Sequence, residues 1–114
     1  MTHDELMQKH HKILEPADYL SIGEGWFPII DRLCTALQTE IDMRGLEQVI
    51  AKQVKEKFGG LRFYTDNFHG ELQYLVDNAE NEADRTCDVC GEPGKIRGTG
   101  WLMARCDEHA PNSN

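Results

Sequence analysis

Apolar residues recur along this chain with a helical period in three places and with strand-like alternation in a fourth. Between residues 3 and 14, Leu6, His10, Ile13 and Leu14 fall on one side, which predicts a first helix. Glu15-Pro16 ends it, because a residue before proline is pushed out of helical geometry. Gly23-Glu24-Gly25 marks a turn, after which Trp26, Ile29, Ile30, Leu33, Leu37 and Ile41 recur at helical spacing. Pro28 is tolerated only in the first turn of that helix, and Arg44-Gly45 closes it. This second helix is expected to be the main core element. A third is predicted over residues 71–84, with Leu72, Leu75, Val76, Ala79 and Ala83 inward and Glu71, Asp77, Glu80, Glu82 and Asp84 outward.

Residues 46–58 fit two templates. Leu46, Val49, Ile50 and Val54 could line a helix, but Phe58-Gly59-Gly60-Leu61 carries the signal of a two-residue hairpin turn, and the hairpin is favoured. Pairing outward from Gly59-Gly60 sets 58 against 61, 56 against 63 and 54 against 65. One face then carries Val54, Phe58, Leu61 and Phe63, interrupted by Glu56, and the other carries Lys55, Lys57, Arg62 and Tyr64. A register that mixed the two sets would bury charge, so their separation supports the pairing. Further on, Lys95-Ile96-Arg97 and Trp101-Leu102-Met103-Ala104 read as short strands joined by Gly98-Thr99-Gly100.

The C-terminal quarter carries the chemistry. Cys87-Asp88-Val89-Cys90 is followed, after fifteen residues, by Cys106-Asp107-Glu108-His109. Two short chelating loops held together by a tight hairpin supply four tetrahedral ligands, and zinc favours thiolate and imidazole donors in that arrangement. Gly91 lets the backbone bend so that both thiols of the first loop reach one ion. Cys87, Cys90, Cys106 and His109 are therefore the predicted ligands of a structural Zn2+. Such a set leaves no coordination position open for a catalytic water. The expected module is zinc ribbon-like; a treble clef would continue into a helix after Cys106. The fourth thiol, Cys34, lies among Ile29, Ile30, Leu33 and Leu37 and reads as a small buried hydrophobe.

Composition narrows the rest. The 114 residues carry a formal net charge of -8, spread unevenly. Residues 49–66 hold two acids and four bases, whereas residues 67–86 hold five acids and one base. An acidic body is a poor match for duplex nucleic acid and suits a protein that meets other proteins. No apolar run approaches the roughly 20 residues of a membrane span. Met1–Leu14 has no apolar core segment of a signal peptide, so a cytoplasmic protein without membrane contact is expected. The hairpin face of Lys55, Lys57, Arg62 and Tyr64 is the one positively biased surface and a candidate partner contact, against the plainer readings of a solvated face or one paired internally with the acidic helix. His3, His10 and His11 read as solvated or packing residues. Trp26 and Trp101, each after a glycine, read as core seals, with Trp101 packing over the zinc module. His69 lacks the partners of a nuclease site, and the deaminase pattern of His-x-Glu ahead of Pro-Cys-x-x-Cys is absent.

Taken as a set, Gly25-Trp26, Ile30-Asp31-Arg32-Leu33-Cys34, the segment Val54–Tyr64 (VKEKFGGLRFY), Cys87–Gly94 (CDVCGEPG), Gly100-Trp101 and Cys106–His109 (CDEH) resemble a family of small uncharacterised bacterial, prophage and phage proteins. The resemblance spans about residues 22–110. It implies a phage or mobile-element setting, in which small accessory proteins bind and alter a host protein, and it implies no reaction.

The expected fold is α+β, with helices packed on a β-hairpin and a C-terminal zinc ribbon-like module. Residues 1–85 form the body, 86–110 the zinc module and 111–114 a frayed tail. The expected function is a non-enzymatic, zinc-stabilised interaction protein that modulates or inhibits a host or phage protein partner. The alternative is a nucleic-acid-binding module using the hairpin face with Lys95, Arg97 and Arg105; a hydrolytic metalloenzyme is the least favoured.

Overall fold

The computed structural model describes residues 1–15, 17 and 19–110; the expected tail 111–114 lies outside them. Among these residues the fold is mixed α+β, with four helices, a small sheet and a C-terminal β-hairpin beside a Cys/His cluster.

The first helix forms as two pieces rather than one. α1 spans His3–Lys9 and α2 spans His11–Leu14, separated by His10 at φ -115°. Thr2 starts α1 with a reciprocal cap: its Oγ1 accepts the Glu5 N–H at 3.1 Å, and the Glu5 carboxylate accepts the Thr2 N–H at 3.0 Å. The break has a visible reason in His10. Its ring is buried, and Nε2 lies 2.6 Å from Asp31 Oδ1 on the long helix, so side-chain docking takes precedence over regular helix. That long helix, α3, spans Phe27–Arg44, has Pro28 in its first turn and ends on Gly45 at φ 63°. It buries Ile29, Ile30, Leu33, Cys34, Leu37 and Ile41, as the spacing predicts. Burial pushes the Cys34 thiol pKa strongly up, which makes it a packing group.

The hairpin is part of a three-stranded sheet, a correction to the sequence reading. β1 (Tyr19–Ser21) pairs parallel with β2 (Ile50–Lys57), and β2 pairs antiparallel with β3 (Gly60–Asp66). The register also differs by two residues from the expected one. Val54 pairs with Phe63 and Lys57 with Gly60, so Phe58-Gly59 is the turn. Both turn residues take positive φ, 54° and 84°, as a mirror-type hairpin turn requires. A shift of two preserves the parity of the strands, so Val54, Leu61 and Phe63 are buried on one face as expected. Phe58 is the exception, displaced from the apolar face to an exposed tip. Glu56, the acid interrupting that face, accepts the Gly59 N–H at 2.7 Å and so braces the turn.

α4 (Gln73–Asp84), entered through a 3₁₀ turn at Gly70–Leu72, lies against α3 and β3. Leu72, Val76, Ala79 and Ala83 are buried as predicted. The acidic outer side is only partly free: Glu80 accepts the Phe63 N–H at 3.1 Å on the outer edge of β3, and Glu82 pairs with Arg32. Burial raises the Glu80 carboxyl pKa, against the lowering effects of that hydrogen bond and of Arg62.

The His10–Asp31 contact tethers the N-terminal helices to α3. The His10 hydrogen bond holds the Asp31 pKa below the usual carboxylate range, with Lys9, 3.0 Å away, adding to the effect. A depressed pKa contributes stability that is complete above the unfolded value and fades as pH falls below about 4. Asp31→Ala should therefore cost about 2 kcal/mol at neutral pH, since it orphans a buried imidazole. Urea unfolding of the variant and the natural chain should converge as pH drops through that range.

Candidate metal centre

The last turn of α4 delivers the chain to the first chelating loop. Thr86 makes an isolated bridge with Pro93, the Cys87 N–H donates to Glu92 O at 2.8 Å, and the Gly91 N–H donates to Cys87 O at 2.9 Å. Gly91 closes this loop at φ 81°, where a side chain would be strained. β4 (Lys95–Arg97) then pairs antiparallel with β5 (Met103–Arg105), which begins two residues later than the predicted second strand. Cys106 follows, and Asp107–His109 forms a single 3₁₀ turn that swings His109 back towards the cysteines.

The structure brings all four predicted ligands together. The Sγ atoms of Cys87, Cys90 and Cys106 and a ring nitrogen of His109 all lie within 4.8 Å of one another, the one such His/Cys/Asp/Glu group among the described residues. Cys90 Sγ and Cys106 Sγ are 3.7 Å apart, and His109 Nδ1 is 3.7 Å from Cys87 Sγ and 3.2 Å from Cys106 Sγ. A tetrahedral zinc ion with Zn–S near 2.3 Å and Zn–N near 2.05 Å demands edges of about 3.8 Å between sulfurs and about 3.6 Å between sulfur and nitrogen. These three separations lie close to those edges, and 3.7 Å is far too long for an S–S bond of about 2.05 Å. These residues could therefore hold a metal ion, with Nδ1 as the imidazole donor.

Electrostatics within the loop favour one thiolate. Burial pushes the Cys87 thiol up, but the backbone N–H groups of Cys106, Cys90 and Val89 stabilise its anion and bring the pKa down to about 6. Cys90 shifts upward instead: the backbone hydrogen bond with Glu92 lowers it, but desolvation and the neighbouring Cys87 and Cys106 outweigh that. A dication placed between the sulfurs removes this mutual repulsion, since a coordinating thiol is deprotonated outright.

Residues outside the Cys/His pattern hold the loops in place. The Gly25 N–H donates to Asp88 O at 2.9 Å, and Trp26 Nε1 donates to Thr86 O at 2.9 Å. A Cβ at Gly23 would stand 2.0 Å from Asp88 O, and one at Gly25 would stand 2.2 Å from Cys87 O. The Gly-Glu-Gly-Trp turn is thus a platform on which the first chelating loop lies backbone against backbone. Arg105 ties the second loop to the first, with Nε 2.5 Å from Asp88 Oδ1 and Nη1 donating to His109 O at 3.2 Å. Sequence reasoning placed Trp26 in the core but missed this platform; the available signal was the pair of glycines just ahead of it. Trp101, expected to pack over the module, is instead 73% exposed.

The second predicted surface lies apart from the cluster. Lys55 pairs across the hairpin with Arg62, and the Lys55 Nζ sits 5.5 Å from the centre of the exposed Tyr64 ring. Lys57 is exposed, with Nζ 5.7 Å from the Phe58 ring. Arg62 is drawn inward: Nη1 donates to Leu61 O at 3.1 Å, and its charge acts on Glu80. Two of the three ribbon bases are engaged locally, Arg97 with Asp107 at 3.1 Å and Arg105 with Asp88. His69 Nε2 lies 2.9 Å from the backbone oxygen of Glu47. No helix among the described residues is long and apolar enough to cross a membrane.

No protein-family model matches the chain, and neither does any curated protein or solved structure.

Proposed function

We propose that this chain is a non-enzymatic interaction module, stabilised by one structural zinc ion on Cys87, Cys90, Cys106 and His109, that docks a protein partner through its hairpin. The observation that carries the reading is the tetrahedral spacing of three sulfurs and one imidazole nitrogen, a donor set that closes the coordination sphere. A closed site stabilises a fold and activates no water, and Asp107 and Glu108, the acids between the ligands, are exposed to solvent. The resemblance to phage and prophage proteins adds the setting, in which the partner is a host or phage protein and the outcome is inhibition or modulation. A cytoplasmic location fits the same reading, since a reducing compartment keeps cysteines as thiols available to a metal.

Lys55, Lys57 and Tyr64 supply the docking face, with Arg62 at its inner margin. Nucleic acid is the weaker partner: phosphate binding needs a run of free cations, whereas Arg97 and Arg105 are already paired and the chain as a whole carries -8. Reversal of Lys55 and Lys57 to glutamate should abolish capture of the partner and shift the melting temperature by no more than about 2 °C, because surface charges contribute little to folding. Capture at natural strength by that double variant, or tight salt-sensitive binding of single-stranded DNA by the natural chain, would refute the docking assignment.

A further inference from the structure

The four residues of the metal cluster differ in how much solvent they meet. Cys87 is fully buried, Cys106 and His109 are half-buried, and Cys90 is exposed. Cys87 is also held from behind: its N–H donates to Glu92 O, its carbonyl accepts the Gly91 N–H, and Gly25 lies against that carbonyl. A small oxidant arriving from solvent therefore reaches the Cys90 sulfur first. There it finds a second sulfur in contact, since Cys106 Sγ stands 3.7 Å from Cys90 Sγ. Rotation of the two side chains is enough to close that gap to a bond of about 2.05 Å. A solvent-facing thiolate beside a resolving cysteine is the arrangement in which oxidation goes to a disulfide rather than to higher acids. Cys34, outside the cluster, is buried in the core and takes no part.

Cys90 and Cys106 lie on different chelating loops, and protein hydrogen bonds already set those loops side by side. The Asp88 N–H donates to Ala104 O at 2.9 Å, and Arg105 Nε donates to Asp88 Oδ1 at 2.5 Å. A covalent link between the two sulfurs would reinforce this contact without rearranging it.

We propose that hydrogen peroxide exchanges the metal staple for a covalent one: it couples Cys90 to Cys106, zinc is released, and the new disulfide holds the two loops in its place. The inference rests on the reading of the cluster as a structural zinc site and adds its regulation. The Cys90 sulfur attacks the O–O bond of the peroxide, forming a sulfenic acid and releasing hydroxide. The Cys106 thiolate then displaces a second hydroxide from that sulfur, and two protons from solvent turn both hydroxides into water. The two sulfurs lose two electrons in all, and the peroxide gains them. Cys87 and His109 are left as a pair, too few to close a zinc coordination sphere. Coordination slows the first attack without barring it, because Cys90 keeps a face open to solvent. The bridge also restricts the unfolded chain between residues 90 and 106, which lets β4 and β5 outlast the ion.

Treatment of the zinc-loaded, reduced full chain with hydrogen peroxide tests this. A weak chromogenic chelator should report one zinc released for each disulfide formed. Non-reducing peptide mapping should place the bridge at Cys90–Cys106, with Cys34 and Cys87 still thiols. Dithiothreitol with added zinc should reverse both readings. Proteolysis within residues 86–110 should be at least about tenfold slower in the oxidised chain than in reduced chain stripped of metal, as expected for closing a loop of this length. A bridge through Cys87, sulfinic acid without a bridge, zinc that stays bound in excess peroxide, or cleavage as fast as in the stripped chain overturns the proposal. Zinc content measured before the peroxide separates the failures. One zinc per chain with no bridge removes the exchange and leaves the structural site standing, whereas no zinc in the reduced chain removes the site and the exchange together.

Discussion

Replacing Cys90 by serine is expected to abolish stoichiometric zinc and to unfold the chain beyond residue 86 while α3 largely survives. Free energies for a structural zinc site are on the order of 10–16 kcal/mol at neutral pH, far more than β4 and β5, three residues each, can supply from their own packing. Affinity should fall by more than about a hundredfold, because even changes to groups behind the ligands cost about 10–100-fold. Limited proteolysis should then cut within residues 86–110 first. Circular dichroism should retain most of the helical signal, since α3 lies against α4 and α1, all of them outside residues 86–110. Unchanged metal content and an unchanged spectrum would mean that the ligand set is wrong.

The second large effect belongs to Trp26, which is fully buried beneath the first chelating loop. Trp26→Ala should cost about 3–5 kcal/mol through lost packing and lower the melting temperature by roughly 10–20 °C. Trp26→Phe keeps most of the volume but strands Thr86 O, so it should cost about 1–2 kcal/mol. Because Thr86 directly precedes Cys87, both variants should also hold zinc more weakly, read by competition with a chromogenic chelator. A melting temperature within a few degrees of the natural chain for Trp26→Ala would show that the loop does not lean on this residue.

Legibility in the sequence followed the range of the forces involved. Cys87, Cys90, Cys106 and His109 could be named because chelation is local, with each loop setting its own spacing, and the structure gathers all four. α3 was readable because an amphipathic period over 18 residues leaves little ambiguity. The two faces of the hairpin survived a wrong register because the error was an even number of residues. Predicting the turn at Gly59-Gly60 assumed that positive φ goes to glycine, whereas Phe58 adopts it.

Other features depended on partners distant in sequence. β1 is three residues long and gains its identity by pairing with β2 more than thirty positions later, at Tyr19–Gln53. The break at His10 reflects Asp31, and the exposure of Trp101 reflects how the ribbon loop lies against the hairpin tip. Gly23 and Gly25 read as a plain turn, because the carbonyls that exclude a Cβ there belong to Cys87 and Asp88. Single-residue periodicity carries no information about such contacts.

The most direct measurement is elemental analysis of freshly purified, reduced protein together with a free-thiol count before and after chelation. The account predicts one zinc per chain, three thiols shielded from reagent until the metal is stripped, and loss of the fold beyond residue 86 on stripping. Metal-free protein that keeps its native spectrum, with the same three thiols freely reactive, would contradict it.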